Sequence, residues 1–233
     1  KRPGAKPGLN RFVWDLRHRE PTKLDTSLVV RRYKPFAAEN DEVPGPVVAP
    51  GHYGVVLEAC GTRLEAGFAV VKDPRIKTSQ KAFDQQLALL KRLYDRFSSL
   101  NDAVNRIRLL KRQLRDVDKR LGDGDKALRD RATALLTRLE SIEGVLVDIK
   151  RESPRDVLRN PAGLNDTLVD LISVVAIADE APTSQARQVC DEIMARVDSE
   201  VSALDAGVAV EVSSLNGALR VAGGGLRFAA SGI

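Results

Sequence analysis

The residues whose types and spacing could do chemistry are few. Arg106, Arg108, Lys111, Arg112, Arg115, Lys119 and Arg120 crowd into one stretch. A basic helix of this kind could meet nucleic-acid phosphates or an anionic membrane surface. Asp102, Asp116 and Asp118 interleave with the basic residues, however. The nearby aromatic residues fall on the apolar positions rather than among the arginines. A solvated helix face carrying i,i+4 ion pairs is the preferred reading. The acidic pairs Asp123/Asp125 and Asp191/Glu192 could hold a metal or exchange a proton. Gly122-Asp-Gly-Asp125 offers too few ligands for a calcium loop, and helix capping by Asp125 accounts for it. His18 and His52 have no Ser or Cys placed to build a hydrolytic arrangement, so both read as surface residues. Gly223–Gly225 lacks the strand–helix context of a phosphate loop. No catalytic residue, no cofactor-binding residue and no metal ligand is therefore assigned, and no cofactor is expected.

Cys60 and Cys190 are the only cysteines. They lie far apart, one in a strand pattern and one in a helix pattern, without metal-binding spacing. Two unpaired thiols are the preferred reading; a bridge would need the β-region to pack on that helix.

The elements that would carry these residues show in the periodicity. Phe12, Trp14 and Leu16 alternate with Val13, Asp15 and Arg17 as a half-buried strand requires. Trp14, the only tryptophan, is read as a core anchor. From Pro21 to Pro50 runs a long polar connection that holds one further strand candidate at Ser27–Tyr33. After the turn signal Pro50-Gly51, Tyr53, Val55 and Leu57 alternate. Cys60-Gly61 then marks a tight turn, and Leu64, Ala66, Phe68 and Val70 keep period two. Three or four strands make an incomplete sandwich.

At Asp73-Pro74-Arg75 the period changes from two to 3.6. Apolar residues then recur every three or four positions from Phe83 to Leu121, without Pro or Gly, as one helix of about 60 Å. A second stripe runs from Leu128 to Ile149. A third begins at Leu164 and continues to Leu204 across a break or kink at Pro182. Short connections make such neighbours antiparallel. In the tail, Val208, Val210 and Val212 alternate while Leu215, Ala218, Leu219 and Val221 step helically.

The 233 residues suffice for one large or two small domains. The formal charge is +5, and the excess of Lys and Arg sits before residue 76, too small for a nucleic-acid footprint. No apolar run is long enough to span a bilayer. The chain opens on Lys1 rather than Met, as a piece of a longer or processed protein would.

Three stretches carry a resemblance: Pro7-Gly-Leu-Asn-Arg-Phe-Val-Trp-Asp-Leu-Arg17, Val48-Ala-Pro-Gly-His-Tyr-Gly-Val-Val-Leu57 and Asp73-Pro-Arg75. It continues in Leu100-Asn-Asp-Ala-Val-Asn-Arg-Ile-Arg108, Asn160-Pro161, Leu164-Asn165, Ala181-Pro-Thr183 and Leu215-Asn-Gly-Ala-Leu-Arg220. In these the chain resembles the C-terminal region of exported bacterial proteins of the sortilin-like (VPS10-type) β-propeller family, often labelled BNR-repeat glycosyl hydrolases. The Trp-Asp and Pro-Gly-x-Tyr motifs are also similar to the Ig-like domain of flagellar hook-capping proteins. The resemblance implies export and an upstream propeller. None of that propeller's Ser-x-Asp-x-Gly-x-x-Trp-type repeats is present, so the family label brings no catalytic residue to this chain.

The expected fold is α+β: a partial Ig-like β-sandwich over residues 1–75, a long antiparallel three- or four-helix bundle over 76–205, and a short helix with a flexible tail over 206–233. The expected function is that of a non-catalytic accessory module packing on an upstream β-propeller or another protein chain. The alternative is the end of a glycosidase that lends a loop, residues 18–46, to the propeller's site. A nucleic-acid partner is disfavoured, and no membrane span is expected.

Overall fold

A computed structural model describes residues 6–25, 43–121, 125–149 and 162–221. Its frame is α1, Gln80–Asp118. Ser79 starts this helix from an extended conformation (φ −78°, ψ 155°), its side chain accepting from the Ala82 N–H. Over 39 residues nothing breaks the hydrogen-bond ladder. The buried positions include the expected Phe83, Leu90, Tyr94, Phe97, Leu100, Val104, Ile107, Leu110, Leu114 and Val117. Leu89, Leu93 and Ala103 are buried as well, which widens the stripe into a broad arc. A helix packed from two sides needs such an arc; a single stripe suits a helix packed from one.

The remaining helices are α2 (Lys126–Leu146), α3 (Leu164–Ala176), α4 (Ser184–Ala203) and α5 (Ala209–Val221), with a π-helical turn at Leu204–Val208 joining the last two. Cross-links fix their directions. Arg129 of α2 donates to Asp118 at the end of α1, while Glu143 pairs with Arg108, so α2 runs antiparallel to α1. α3 continues that descent, and Gln86 of α1 donates to the carbonyls of Val175 and Ala178 at its far end. α4 then climbs parallel to α1, with Arg92–Asp191, Arg96–Asp198 and Arg106–Asp205 rising together on both helices. α5 extends the climb against α2, where Arg131 meets Ser214 and Arg138 meets Glu211. The result is three rods: α1, α2 with α3, and α4 with α5.

The stripe from 164 to 204 is thus not one kinked rod. Pro182 supplies no N–H and turns the preceding residue away from helix, and Thr183 caps α4 by accepting from the Ala186 N–H. The chain reverses there, and α3 joins the rod begun by α2. At that junction Gly163 lies against the end of α2; a Cβ on it would sit 2.7 Å from Val147 Cα. Asp125 holds the N-cap position of α2 but makes no capping hydrogen bond. Asp123, Gly122 and Gly124 lie outside the described residues, as do the strand candidate at 27–33 and Gly223–Gly225.

The expected β-sandwich is not what forms. Among the described residues the only sheet has two strands, β1 (Gly51–Ala59) and β2 (Thr62–Val70), paired antiparallel from Gly51↔Val70 to Ala59↔Thr62. Among the described residues there is no Ig-like arrangement of facing sheets, and they are predominantly helical. The turn works as its residues require: Cys60 and Gly61 both take positive φ, 51° and 75°, as in a type I′ hairpin turn. The segment around Trp14 alternates without becoming a strand. Leu16 takes a left-handed φ of 59°, which interrupts the pleat, and only an isolated Arg17↔Val47 bridge forms.

Candidate interaction surface

Period two places Tyr53, Val55 and Leu57 on one face of the hairpin, opposite Phe68, Ala66 and Leu64. This face is apolar throughout, yet it is largely open. Val55 is 50% exposed, Leu57 53% and Leu64 61%. Only its root is covered. The Trp14 ring stands edge-on to Tyr53 and Phe68, with centroids 5.7 and 5.9 Å away. Trp14 Nε1 donates to the Arg17 carbonyl, and Tyr53 Oη to that of Ala49. Trp14 is therefore half-buried in an aromatic trio at the base of the hairpin, not the anchor of a sandwich core. Phe12 beside it is 53% exposed and extends the open apolar surface. The other hairpin face carries the cross-strand pairs Gly54↔Gly67 and Glu58↔Arg63.

Below Trp14, the segment that follows it lies along α1. A cleft of about 950 Å³ separates the two, with Arg17, His18 and Glu20 on one wall and Tyr94, Asp95 and Ser98 on the other. Much of its polar lining is occupied by internal bonds. Tyr94 Oη donates to the Pro44 carbonyl, Arg17 Nη1 to that of Gly45, and Ser98 Oγ accepts from the Thr22 N–H. Gly45 is required here, since a Cβ would stand 2.1 Å from the His18 carbonyl oxygen. His18 is not the surface residue expected. Its Nε2 is buried without a hydrogen-bond partner, and burial, helped by the Lys91 charge, pushes the imidazole pKa down and favours the neutral ring. Burial pushes the Tyr94 phenol up. His52 is exposed on β1, as expected.

Four residues of the basic stretch of α1 are engaged across the bundle, while Lys119 pairs with Asp116 one turn back along its own helix. Arg106 pairs with Asp205, Arg115 with Glu140, and Arg108 and Lys111 with Glu143. Of the acidic pair at 191–192, Asp191 meets Arg92, and Glu192 accepts from Gln188 one turn away. Both cysteines are free: Cys60 is exposed at the hairpin tip, Cys190 buried beside Met194. Among the described residues no group of three or more His, Cys, Asp or Glu side chains gathers to hold a metal. No helix among them is long and apolar enough to cross a membrane. Of the loop 18–46, residues 18–25 and 43–46 lie against α1, and 26–42 fall outside the described residues.

Sequence reasoning missed the polar residues that hold this segment down. Asn101 and Asn105, inside a helical stripe, were the available signal, because Asn disfavours helix interiors. Comparison with models of known protein families, with curated proteins and with solved structures gives no match.

Proposed function

We propose that the chain is a non-catalytic interaction module that docks through the open hairpin face onto a β-rich partner. The partner best suited is the upstream β-propeller implied by the resemblance to exported sortilin-like proteins. The observation that carries this is the contrast between the two halves. The helices bury their apolar arcs, whereas Val55, Leu57 and Leu64 present theirs to solvent on a framework that reaches about 30 Å from its root. Exposed apolar surface of this kind marks an interaction site, and a two-stranded sheet also leaves strand edges open to further pairing. A partner offering a sheet would satisfy both, which favours a β-domain over a nucleic acid or a lipid headgroup.

The reading is tested by mixing the chain with a propeller domain of that family and following amide hydrogen exchange. Slowed exchange across Gly51–Val70, lost in the double variant Leu57→Lys/Leu64→Lys, is the expected result. Unchanged hairpin exchange, or protection confined to the helices, would remove the support for this docking mode.

A further inference from the structure

Ser98, Asn101, Asn105 and Arg108 follow one another on α1 at steps of three or four residues and so share one face. All four engage the backbone of Thr22–Asp25. Ser98 Oγ accepts the Thr22 N–H at 3.1 Å, and Asn101 Nδ2 donates to the Thr22 carbonyl at 2.7 Å. Asn105 grips two residues at once: its Oδ1 accepts the Asp25 N–H at 2.7 Å while its Nδ2 donates to the Lys23 carbonyl at 3.0 Å. Arg108 Nη1 reaches the Asp25 carbonyl at 3.4 Å. The side chains of α1 thus do for this segment what a neighbouring strand does in a sheet.

The returning limb is tied to both partners. Tyr94 holds Pro44 to α1. The His18 N–H donates to the Pro46 carbonyl and the Val48 N–H to that of Leu16, so the two limbs are laced together just before β1 begins. By contrast, among the described residues no hydrogen bond joins a residue of β1 or β2 itself to a helix; Gln80 Nε2 reaches only the Pro50 carbonyl at the hairpin root. Asn101 is fully buried, and its Oδ1 has no hydrogen-bond partner. An apolar residue would serve the bundle better at that position, because a buried polar atom left unpaired is costly. The amide is explained by what it holds.

We infer that Asn101 and Asn105 are positioning residues. They clamp the Thr22–Asp25 backbone to α1, and through the laced limbs they set the orientation of the hairpin on the bundle. This goes beyond the docking reading and stands whatever the hairpin docks on, because it concerns only how the hairpin is held.

The native Cys60 thiol at the hairpin tip and a cysteine introduced by Arg112→Cys on the exposed side of α1 provide two spin-label sites in the full chain. Pulsed electron–electron distance measurements are compared for the otherwise unchanged protein, for Asn105→Ala and for Asp25→Pro. The last removes the N–H that Asn105 accepts at a residue outside the helices. Asn105→Ala is chosen over Asn101→Ala because Asn105 is only half-buried. The expected result is a narrow distance distribution that broadens in both variants, together with loss of exchange protection at the Asp25 amide in Asn105→Ala and unchanged helical circular dichroism. A distribution that stays narrow in both variants would overturn the inference. So would one already broad in the parent protein.

Discussion

Arg108 Nε donates to Glu143 Oε1 at 2.9 Å, and both side chains are nearly sealed from solvent, 11% and 6% exposed. Lys111 Nζ reaches the other oxygen, also at 2.9 Å. Two cations therefore share one buried carboxylate between α1 and α2. Burial alone would raise the pKa of Glu143; the hydrogen bonds and charges of Arg108 and Lys111 outweigh it and hold the carboxyl below the ordinary 4.5.

Removing this carboxylate takes from Arg108 its buried charge partner and leaves Lys111 with Glu140 at 3.3 Å. Glu143→Ala is expected to cost about 3 kcal/mol of unfolding free energy, the scale for breaking a buried ion pair from one side. Urea titration followed at a helical band measures it. Because the folded-state pKa is lowered, the stabilisation is fully present above 4.5 and is lost as pH falls from there through the folded value. The gap between the native chain and Glu143→Gln should therefore narrow below pH 4.5. A gap that holds constant into acid would count against a charged Glu143 in the fold.

Two glycines should respond oppositely to a methyl group. At Gly163 the new carbon would sit 2.7 Å from Val147 Cα and 2.8 Å from the Asp148 nitrogen, so Gly163→Ala forces α3 away from α2. A cost of about 1–3 kcal/mol is expected, as for other overpacked sites. At Gly54 the same carbon meets nothing within 4 Å. Gly54→Ala should leave bundle stability within about 0.5 kcal/mol of the native value. Thermal unfolding of the two variants side by side makes the comparison.

Trp14 is the only tryptophan, so its fluorescence reports on the hairpin root while helical circular dichroism reports on the bundle. The hairpin exposes most of its apolar face, and regions with few buried contacts open at lower cost than the core. The fluorescence change should precede the loss of helix during denaturant titration. Phe68→Ala, which removes one edge of the aromatic trio, should shift the emission of the folded chain and leave the helical transition in place. Coincident transitions would show that hairpin and bundle unfold as one unit.

The two thiols should be separable by reactivity. Cys60 stands exposed in the turn, whereas Cys190 is fully buried and its thiol pKa is raised chiefly by that burial. A thiol reagent is expected to modify Cys60 alone in the folded protein, with Cys190 following only on unfolding. Rapid modification of both would mean that α4 opens readily from α1.

How much of this was legible in advance differs from element to element. The Phe83–Leu121 spacing made α1 readable to within a few residues, because a period of 3.6 unbroken by Pro or Gly has no competing conformation over that length. The turn at Cys60-Gly61 was equally plain, since it follows from local backbone preference. The alternation around Trp14 misled. A pleat that alternates apolar and polar residues needs a second sheet to bury it, and no periodicity states whether that sheet exists. The stripe across Pro182 was ambiguous for a similar reason: collinear and folded-back helices show the same apolar spacing.

By itself the sequence determined the long helix α1 and the hairpin turn at Cys60-Gly61, because these depend on residues close together in the chain. Only the tertiary structure decided three other matters. α2 and α3 share one rod while α4 and α5 form the next, Arg106, Arg108, Lys111 and Arg115 of α1 are engaged by acids elsewhere in the bundle, and Asn101 and Asn105 hold the backbone of Thr22–Asp25. Each joins groups tens of residues apart. Such pairings are selected by the fit of whole surfaces, which local spacing does not encode.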